Sequence, residues 1–124
     1  LVIGMLFYIY GGDNFVKYKL VNKIEVPKEF YICFNELDKI ADENIKSEFI
    51  QTDEEHLSSK YHFALGLYIR NNWISHDELN LNLKDVFDKL GIHNPDDMSG
   101  ILITSYHRYV STKDILLSQQ IELR

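Results

Sequence analysis

The sequence has few residues that could cross-link the chain or hold a metal ion. Its 124 residues include one cysteine, and Cys33 therefore has no partner for an intrachain disulfide. No histidine stands in a HExxH, HxH or Cys/His spacing typical of zinc sites, and no phosphate loop, dinucleotide fingerprint or nucleophile elbow occurs. We therefore expect no metal and no cofactor, and a buried, structural Cys33 on the apolar face of a helix.

Positive charge is also scarce. The chain has 13 Lys and Arg against 19 Asp and Glu, a formal net charge of −6. Such a surface lacks the basic patch that neutralises phosphates, so we expect no nucleic-acid partner. Acidity favours a basic protein partner instead, and it speeds the encounter with one.

The one long apolar run, Leu1–Tyr10, is too short to span a bilayer, so we expect no integral membrane insertion. It has two interpretations. It could be the remnant of a secretory signal, which would imply export, although no basic region precedes it. Alternatively, Leu6–Tyr10 and Phe15–Val21 are the strands of a β-hairpin joined through turn-forming residues 11–14, in a cytoplasmic protein.

Helical periodicity begins at Pro27, and the length suits a single domain. We predict a mainly α fold, a compact bundle of about five helices, with or without an N-terminal β-hairpin or short strands. Residues 1–25 form the apolar N-terminal segment, and residues 26–124 form the helical domain.

The first helices are predicted from their apolar spacing. The inward stripe of the first helix consists of Phe30, Cys33, Phe34, Leu37, Ile40 and Ala41. A surface helix follows around Asn44–Gln51. Thr52 and Glu55 form a predicted capping box that starts a long central helix, which ends at Asn71-Asn72. The predicted inward stripe of that helix is Leu57, Tyr61, Ala64, Leu65, Tyr68 and Asn72. Phe63, Leu67 and Ile69 widen the stripe, so the helix is apolar on most sides.

Two more helices are predicted near the C-terminus. One runs from Leu79 to Leu90 and is closed by Gly91. The next begins with Asn94 as N-cap and Pro95 at the first position. Its inward face is Met98, Ile101, Leu102, Ser105, Tyr106 and Tyr109. Gly100 within it indicates a close approach of another helix. The tail from Ser111 fits a short strand or a final helical turn.

Two blocks of sequence resemble an uncharacterised bacterial family, a domain of unknown function. They are Tyr61–Trp73 (YHFALGLYIRNNW) and Leu90–Arg108, which contains LGIHNPDDMSGIL and SYHR. The family pattern is YHFGLGxWIRNNWGLW followed by LGIxHPDDMSGIIL and SYxR, and the resemblance covers roughly residues 26–121. The chain departs from this pattern at Tyr68, at residues 74–76 and at Asn94. The resemblance supports the fold but implies no activity.

The same blocks contain the candidate site. A guanidinium on a mostly apolar segment needs a carboxylate, so Arg70 is predicted to pair with Asp97 or Asp96 and to tie two helix ends together. Alternatively, the two acids serve only the helix dipole. Asn71, Asn72 and Trp73 are either a polar patch around a ligand or C-cap amides and a core lid.

His62 and His107 join this group if the two main helices pack with these ends adjacent. A His, Asp and Arg cluster can perform acid–base or phosphoester chemistry, although we assign no catalytic residue. The candidate binding residues are His62, Arg70, Asn71, Asn72, Trp73, Asp96, Asp97 and His107.

Three functions remain open from the sequence. The first is a binding module, an immunity or antitoxin-like protein that masks a basic, toxin-like partner with an acidic, aromatic-bearing face. The second is a small hydrolase-like enzyme that uses His62, Arg70, Asp97 and His107. The third is a secreted or membrane-tethered accessory domain.

Overall fold

The computed structural model describes residues 24–124 with their side chains, and in the N-terminal segment it describes the backbone of four short strands. The strands are β1 Val2–Phe7, β2 Tyr10–Gly11, β3 Asn14–Phe15 and β4 Lys19–Ile24. β1 pairs antiparallel with β4, from Val2 opposite Ile24 to Phe7 opposite Lys19, and β2 pairs with β3. These bounds differ from the predicted Leu6–Tyr10 and Phe15–Val21. Residues 12 and 13 of the predicted turn lie outside the described residues, so the complete hairpin stays a prediction.

The rest of the chain is a helical bundle, which confirms the mainly α fold. Its elements are α1 Lys28–Ile40, α2 Glu43–Gln51, a 3₁₀ turn Glu54–His56, α3 Leu57–Tyr61, a first π segment His62–Gly66, a second π segment Ile69–Ser75, α4 Leu83–Lys89, α5 Pro95–Val110 and α6 Leu117–Glu122. Residues 57–75 form one continuous helix, which we call the central helix. No helix among the described residues has both the length and the apolar character needed to cross a membrane.

The first helix buries most of its predicted stripe. Phe30, Cys33, Phe34 and Leu37 are all inaccessible to solvent, and Phe30 packs against Phe87 of α4 with ring centroids 5.4 Å apart. Burial raises the pKa of the Cys33 thiol to about 12, so it stays protonated at neutral pH, as expected of a structural cysteine. The stripe ends earlier than predicted, because Ile40 is exposed to solvent.

The predicted capping box at Thr52 is wrong. Thr52 ends α2 instead of starting the next helix: its backbone N–H donates to the carbonyl of Glu48 at 3.1 Å, and its hydroxyl donates to the same carbonyl at 2.8 Å. Threonine can satisfy the last carbonyls of a helix as well as the first amides of one, and here the preceding helix uses it. The following 3₁₀ turn begins after Asp53.

The central helix differs most from its prediction. It continues to Ser75, beyond the predicted end at Asn71-Asn72, and most of it has π geometry. A π-helix bonds i to i+5 and is therefore wider than an α-helix, so a stripe read at 3.6 residues per turn drifts off the buried face. Ala64 and Tyr68 were predicted to face inward but are exposed. The residues of this helix that are fully buried are Leu57, Gly66, Ile69, Trp73 and Ile74.

The fourth helix is shorter than predicted, since it begins at Leu83 and not at Leu79. The carboxylate of Asp77 accepts the N–H groups of Leu81 and Asn82, each at 2.9 Å, which holds this stretch in a tight turn. Asn80 and Asn82 have left-handed backbone angles, which an α-helix cannot include. Gly91 has φ +79°, which confirms the predicted left-handed stop.

The fifth helix starts as predicted. The side chain of Asn94 accepts the N–H of Asp96 at 2.8 Å, and Pro95 is the first helical residue. The predicted inward face is buried except at Tyr109, which is exposed. The group that approaches Gly100 is the side chain of Arg124 and not, as predicted, another helix. A Cβ at Gly100 would lie 3.1 Å from Nη2 of Arg124. The tail forms α6, and Ser118 there accepts the N–H of Ile24 at 2.8 Å.

Candidate functional site

Arg70 on the second π segment is the centre of the predicted site. Its side chain is only 12% exposed. Nη1 donates to Oγ of Ser99 at 2.9 Å, and Nη2 donates to the carbonyl of His62 at 3.1 Å. Nε lies 3.4 Å from Oδ1 of Asp96, so of the two predicted partners the structure selects Asp96. We call Arg70, Asp96, Ser99 and the His62 carbonyl the arginine clasp, because together they join the central helix to α5.

Gly66 makes room for the clasp. A Cβ at this position would lie 2.7 Å from Nη1 of Arg70, a separation that no real pair of such atoms tolerates. Ser99 is completely buried, and its hydroxyl donates to the carbonyl of Asp96 at 3.1 Å while it accepts from Arg70. Gly66 and Ser99 were not among the residues predicted from the sequence. The sequence did contain a signal for them, because both are small residues in the same two blocks as Arg70 and its acidic partners.

The other residues of the polar group have local partners. Asp97 faces Nη1 of Arg124 at 3.4 Å. The carbonyl of Asn71 lies 2.6 Å from Nδ1 of His76, and the side chain of Asn72 donates to the carbonyl of Tyr68 at 3.0 Å. Trp73 is buried in the core. Trp73 is therefore a core residue, as in one of the two interpretations, whereas Asn71 and Asn72 lie within the helix, which ends at Ser75, and so the predicted C-cap role is wrong for them.

The two histidines are not joined to the clasp through their rings. His62 contributes its backbone carbonyl, and its ring lies 5.0 Å from that of Phe63. His107 is buried with its ring 5.2 Å from Phe49, in an edge-to-face arrangement. Neither ring nitrogen of His107 has a hydrogen-bond partner among the described residues. No described contact links His62, Arg70, Asp97 and His107 into one acid–base group.

A second arginine ties the 3₁₀ turn to α5. Arg108 donates to both carboxylate oxygens of Glu54, from Nε at 2.6 Å and from Nη2 at 2.9 Å, and it also donates to the carbonyl of Ile115 at 2.6 Å. The hydrogen bonds from Arg108 hold the pKa of Glu54 below its usual value. This bidentate pair fixes the end of α5 against the start of the central helix.

An apolar groove lies elsewhere on the surface, between α1, α2, the central helix and α5. Its volume is about 340 Å³. We call it the α1–α2 groove, and it is lined by Leu37, Asp38, Ile40, Ala41, Ile45, Lys46, Phe49, Ile50, Tyr61, Ala64, Leu65, Tyr68, Tyr106 and Val110. None of the eight predicted site residues is among these lining residues.

The rim of the groove carries large apolar side chains that face solvent. Ile40, Ile45 and Ile50 are 49%, 51% and 45% exposed, whereas Phe49 and Tyr106 are buried. Single exposed apolar residues are ordinary, but several around one concave apolar surface are typical of a binding site. The sequence contained a signal for this site in α2, because its three large apolar residues are more than a short surface helix can bury.

One carboxylate marks the edge of the groove. The hydroxyl of Tyr106 donates to Oδ1 of Asp38 at 2.5 Å. Burial, together with this carboxylate, raises the pKa of Tyr106, so the phenol stays a donor at neutral pH. Lys46 lies farther away, with Nζ 4.0 Å from Asp38 and 4.0 Å from Glu43. Asp38 is therefore oriented by the core and remains open to solvent on its other side.

One group has the composition of a cation site. Asp53, Glu55 and His56 place their potential ligand atoms within 4.8 Å of one another. All three side chains are exposed, and exposed acidic groups of this kind are common without an ion. We assign no metal to it.

The described residues thus define a mainly helical domain with an arginine clasp in its interior and an apolar groove on its surface. The chain belongs to the family described as Domain of unknown function (DUF6794), whose family model matches residues 26–110. The matched range contains the clasp and every residue that lines the groove. Comparison with curated proteins gives no match, and comparison with solved structures gives none either.

Proposed function

We propose that the chain is a protein-binding module, an immunity or antitoxin-like protein that masks a basic partner in the cytoplasm, and that the partner binds at the α1–α2 groove. The observation that carries this proposal is the apolar groove with its exposed isoleucine rim in a strongly acidic part of the chain. Interfaces combine such an apolar centre with a charged rim.

The stretch of chain that contains α2 is strongly acidic. Residues 36–60, which include α2 and most of one groove wall, contain eight acidic residues and three lysines and so carry five of the six net negative charges. Each of the three lysines lies beside an acid of the same stretch: Lys39 by Glu36, Lys46 by Asp38 and Glu43, and Lys60 by Glu48. Glu54 is paired with Arg108, and the remaining excess of negative charge is available to an incoming basic surface.

The clasp supports a structural role for the predicted polar residues. The guanidinium of Arg70 has three partners within the chain, and Asn72 and Asp97 are also paired. Groups that are held in this way stabilise the packing of the central helix on α5. We therefore propose binding at the groove, and we assign the clasp to the scaffold that positions it.

The experiment is affinity capture from the organism that encodes the chain, at low ionic strength. The bait is the wild-type protein, the Ile45→Glu variant or the Ile32→Glu variant. Ile45 is on the groove rim, whereas Ile32 is similarly exposed on α1 and does not line the groove. We expect a basic protein to be captured by wild type and by Ile32→Glu but lost with Ile45→Glu.

Circular dichroism of the three baits checks that they are equally folded. Equal capture by both glutamate variants would place the partner at another surface and overturn the proposal. Capture of no basic protein by the wild-type bait would count against it as well.

A further inference from the structure

The shape of the groove restricts what the partner can present to it. On the basis of the proposed function, we infer that the α1–α2 groove binds one face of a basic amphipathic α-helix of the partner. Three features support this occupant: the helical walls, the volume of the groove and the charge at its edge.

The walls favour a helix over an extended strand. The lining residues belong to α1, α2, the central helix and α5, except for Ala41 at the end of α1. The N–H of Ala41 itself donates to the carbonyl of Leu37 at 3.3 Å. Walls of this kind present no open backbone ladder, so an extended strand would bury N–H and C=O groups without partners. A helix satisfies its own backbone groups and can enter such a groove with its side chains alone.

The volume sets the number of apolar anchors. A cavity of about 150 Å³ is large enough to hold a benzene molecule, so 340 Å³ accommodates about two side chains of that size. Residues three or four apart on a helix lie on the same face about one turn from each other. Two apolar residues at this spacing would fill the groove, and flanking residues of the same face would cover the isoleucine rim.

The charge at the edge selects a basic helix. Asp38 is held by the hydroxyl of Tyr106 and is open to solvent, and the exposed acids Asp42 and Glu43 begin the next helix. Lys46 also lines the groove, 4.0 Å from both Asp38 and Glu43, so these three acids exceed the one cation by two charges. A lysine or arginine beside the apolar face of the bound helix would meet these carboxylates. An acidic helix with the same apolar face would meet like charge, which is unfavourable across an interface.

The test is a panel of three fluorescein-labelled peptides, each about 16 residues long so that it can form four turns. The first has leucines along one helical face and lysines elsewhere, the second has glutamates in place of the lysines, and the third has the lysine composition with the leucines dispersed. Binding to the folded chain is measured by fluorescence anisotropy. We expect the lysine peptide to bind at least about tenfold more tightly than the glutamate peptide, because like charges across an interface are unfavourable. We expect the same margin over the dispersed peptide, because that peptide has no continuous apolar face for the groove.

Two variants and the Ile32→Glu control locate the binding. Ile45→Glu is expected to weaken the lysine peptide strongly, and Ile32→Glu to leave it unchanged. Asp38→Asn keeps an acceptor for Tyr106 but removes the charge, so it is expected to reduce the preference for the lysine peptide over the glutamate peptide.

Equal binding of the lysine and glutamate peptides would overturn the charge selection, and equal binding of the dispersed peptide would overturn the helical occupant. If no peptide binds while affinity capture still depends on Ile45, the inference is wrong although the proposed function stands. If no peptide binds and affinity capture does not depend on Ile45, both the inference and the proposed function are wrong.

Discussion

At the scale of residues, the stability of the two main sequence blocks depends on a semi-buried arginine. The guanidinium of Arg70 needs hydrogen-bond acceptors because burial removes its water, and Ser99, the carbonyl of His62 and Asp96 supply them. Gly66 permits this position of the guanidinium, because a Cβ there would lie only 2.7 Å from Nη1 and would force the end of the Arg70 side chain to move.

Substitution of Gly66 by alanine tests this geometry. In the wild-type background we expect Gly66→Ala to lower the free energy of unfolding by about 1 kcal/mol. The displaced guanidinium loses the charged hydrogen bond from Nη1 to Ser99, worth roughly 1.5–3 kcal/mol, and the better helix propensity of alanine returns about 1 kcal/mol. In an Arg70→Ala background the clash is absent, so the same substitution should be neutral or stabilising.

Urea unfolding of the wild type, both single variants and the double variant gives the coupling energy between Gly66 and Arg70. A coupling energy near zero would contradict the contact between them.

Residue types in the sequence indicated part of the site. An arginine on a mostly apolar segment predicted an ion pair with one of two first-turn acids of another helix, and the pair with Asp96 is present. The sequence did not show which acid pairs, because Asp96 and Asp97 differ only by one helical position. That choice depends on the orientation of the central helix about its own axis, which no local sequence pattern reveals.

At the scale of elements, caps and stops were predictable where their chemistry is local. Asn94, Pro95 and Gly91 act as predicted, because each fixes its own backbone or that of a near neighbour. The central helix was not predictable in the same way. Its π segments change the number of residues per turn, so the predicted stripe faces the core at Leu57, Tyr61 and Leu65 but not at Ala64 and Tyr68.

Alanine substitution at two residues of the central helix, Ile69 and Leu67, tests which face of this helix is buried. Ile69 is completely buried on the central helix, whereas Leu67 is about half exposed. We expect Ile69→Ala to lower the free energy of unfolding by about 2–5 kcal/mol because it leaves a cavity. Leu67→Ala should change it by about 0.5 kcal/mol or less. Similar decreases in the free energy of unfolding for the two variants would contradict the burial of Ile69 and the exposure of Leu67 in this helix.

At the scale of the whole molecule, helical periodicity predicted the class of fold and composition gave the net negative charge, but neither could locate a groove. A groove depends on how elements distant in sequence pack together, here α1 and α2 against the central helix and the C-terminal half of α5. The apolar residues 45 and 50 were correctly assigned to a surface helix. That they surround a cavity floored by Phe49 and Tyr106 is visible only once the helices are packed.

The groove and the acidic stretch of residues 36–60 together support our proposal that this surface binds a basic helix. The ionic contacts of Arg70 and Arg108 lie away from the groove, so a partner can bind there without breaking them. A partner that binds there should therefore perturb the rim and leave the clasp intact.

Isoleucine-methyl NMR during titration with the lysine-leucine peptide is the most direct measurement. We expect the δ1 methyl signals of Ile40, Ile45 and Ile50 to shift on binding, because they form the groove rim. The signals of Ile92 and Ile101, which are buried and do not line the groove, should stay in place. Shifts confined to isoleucines outside the groove, or no shifts at saturating peptide, would contradict the account.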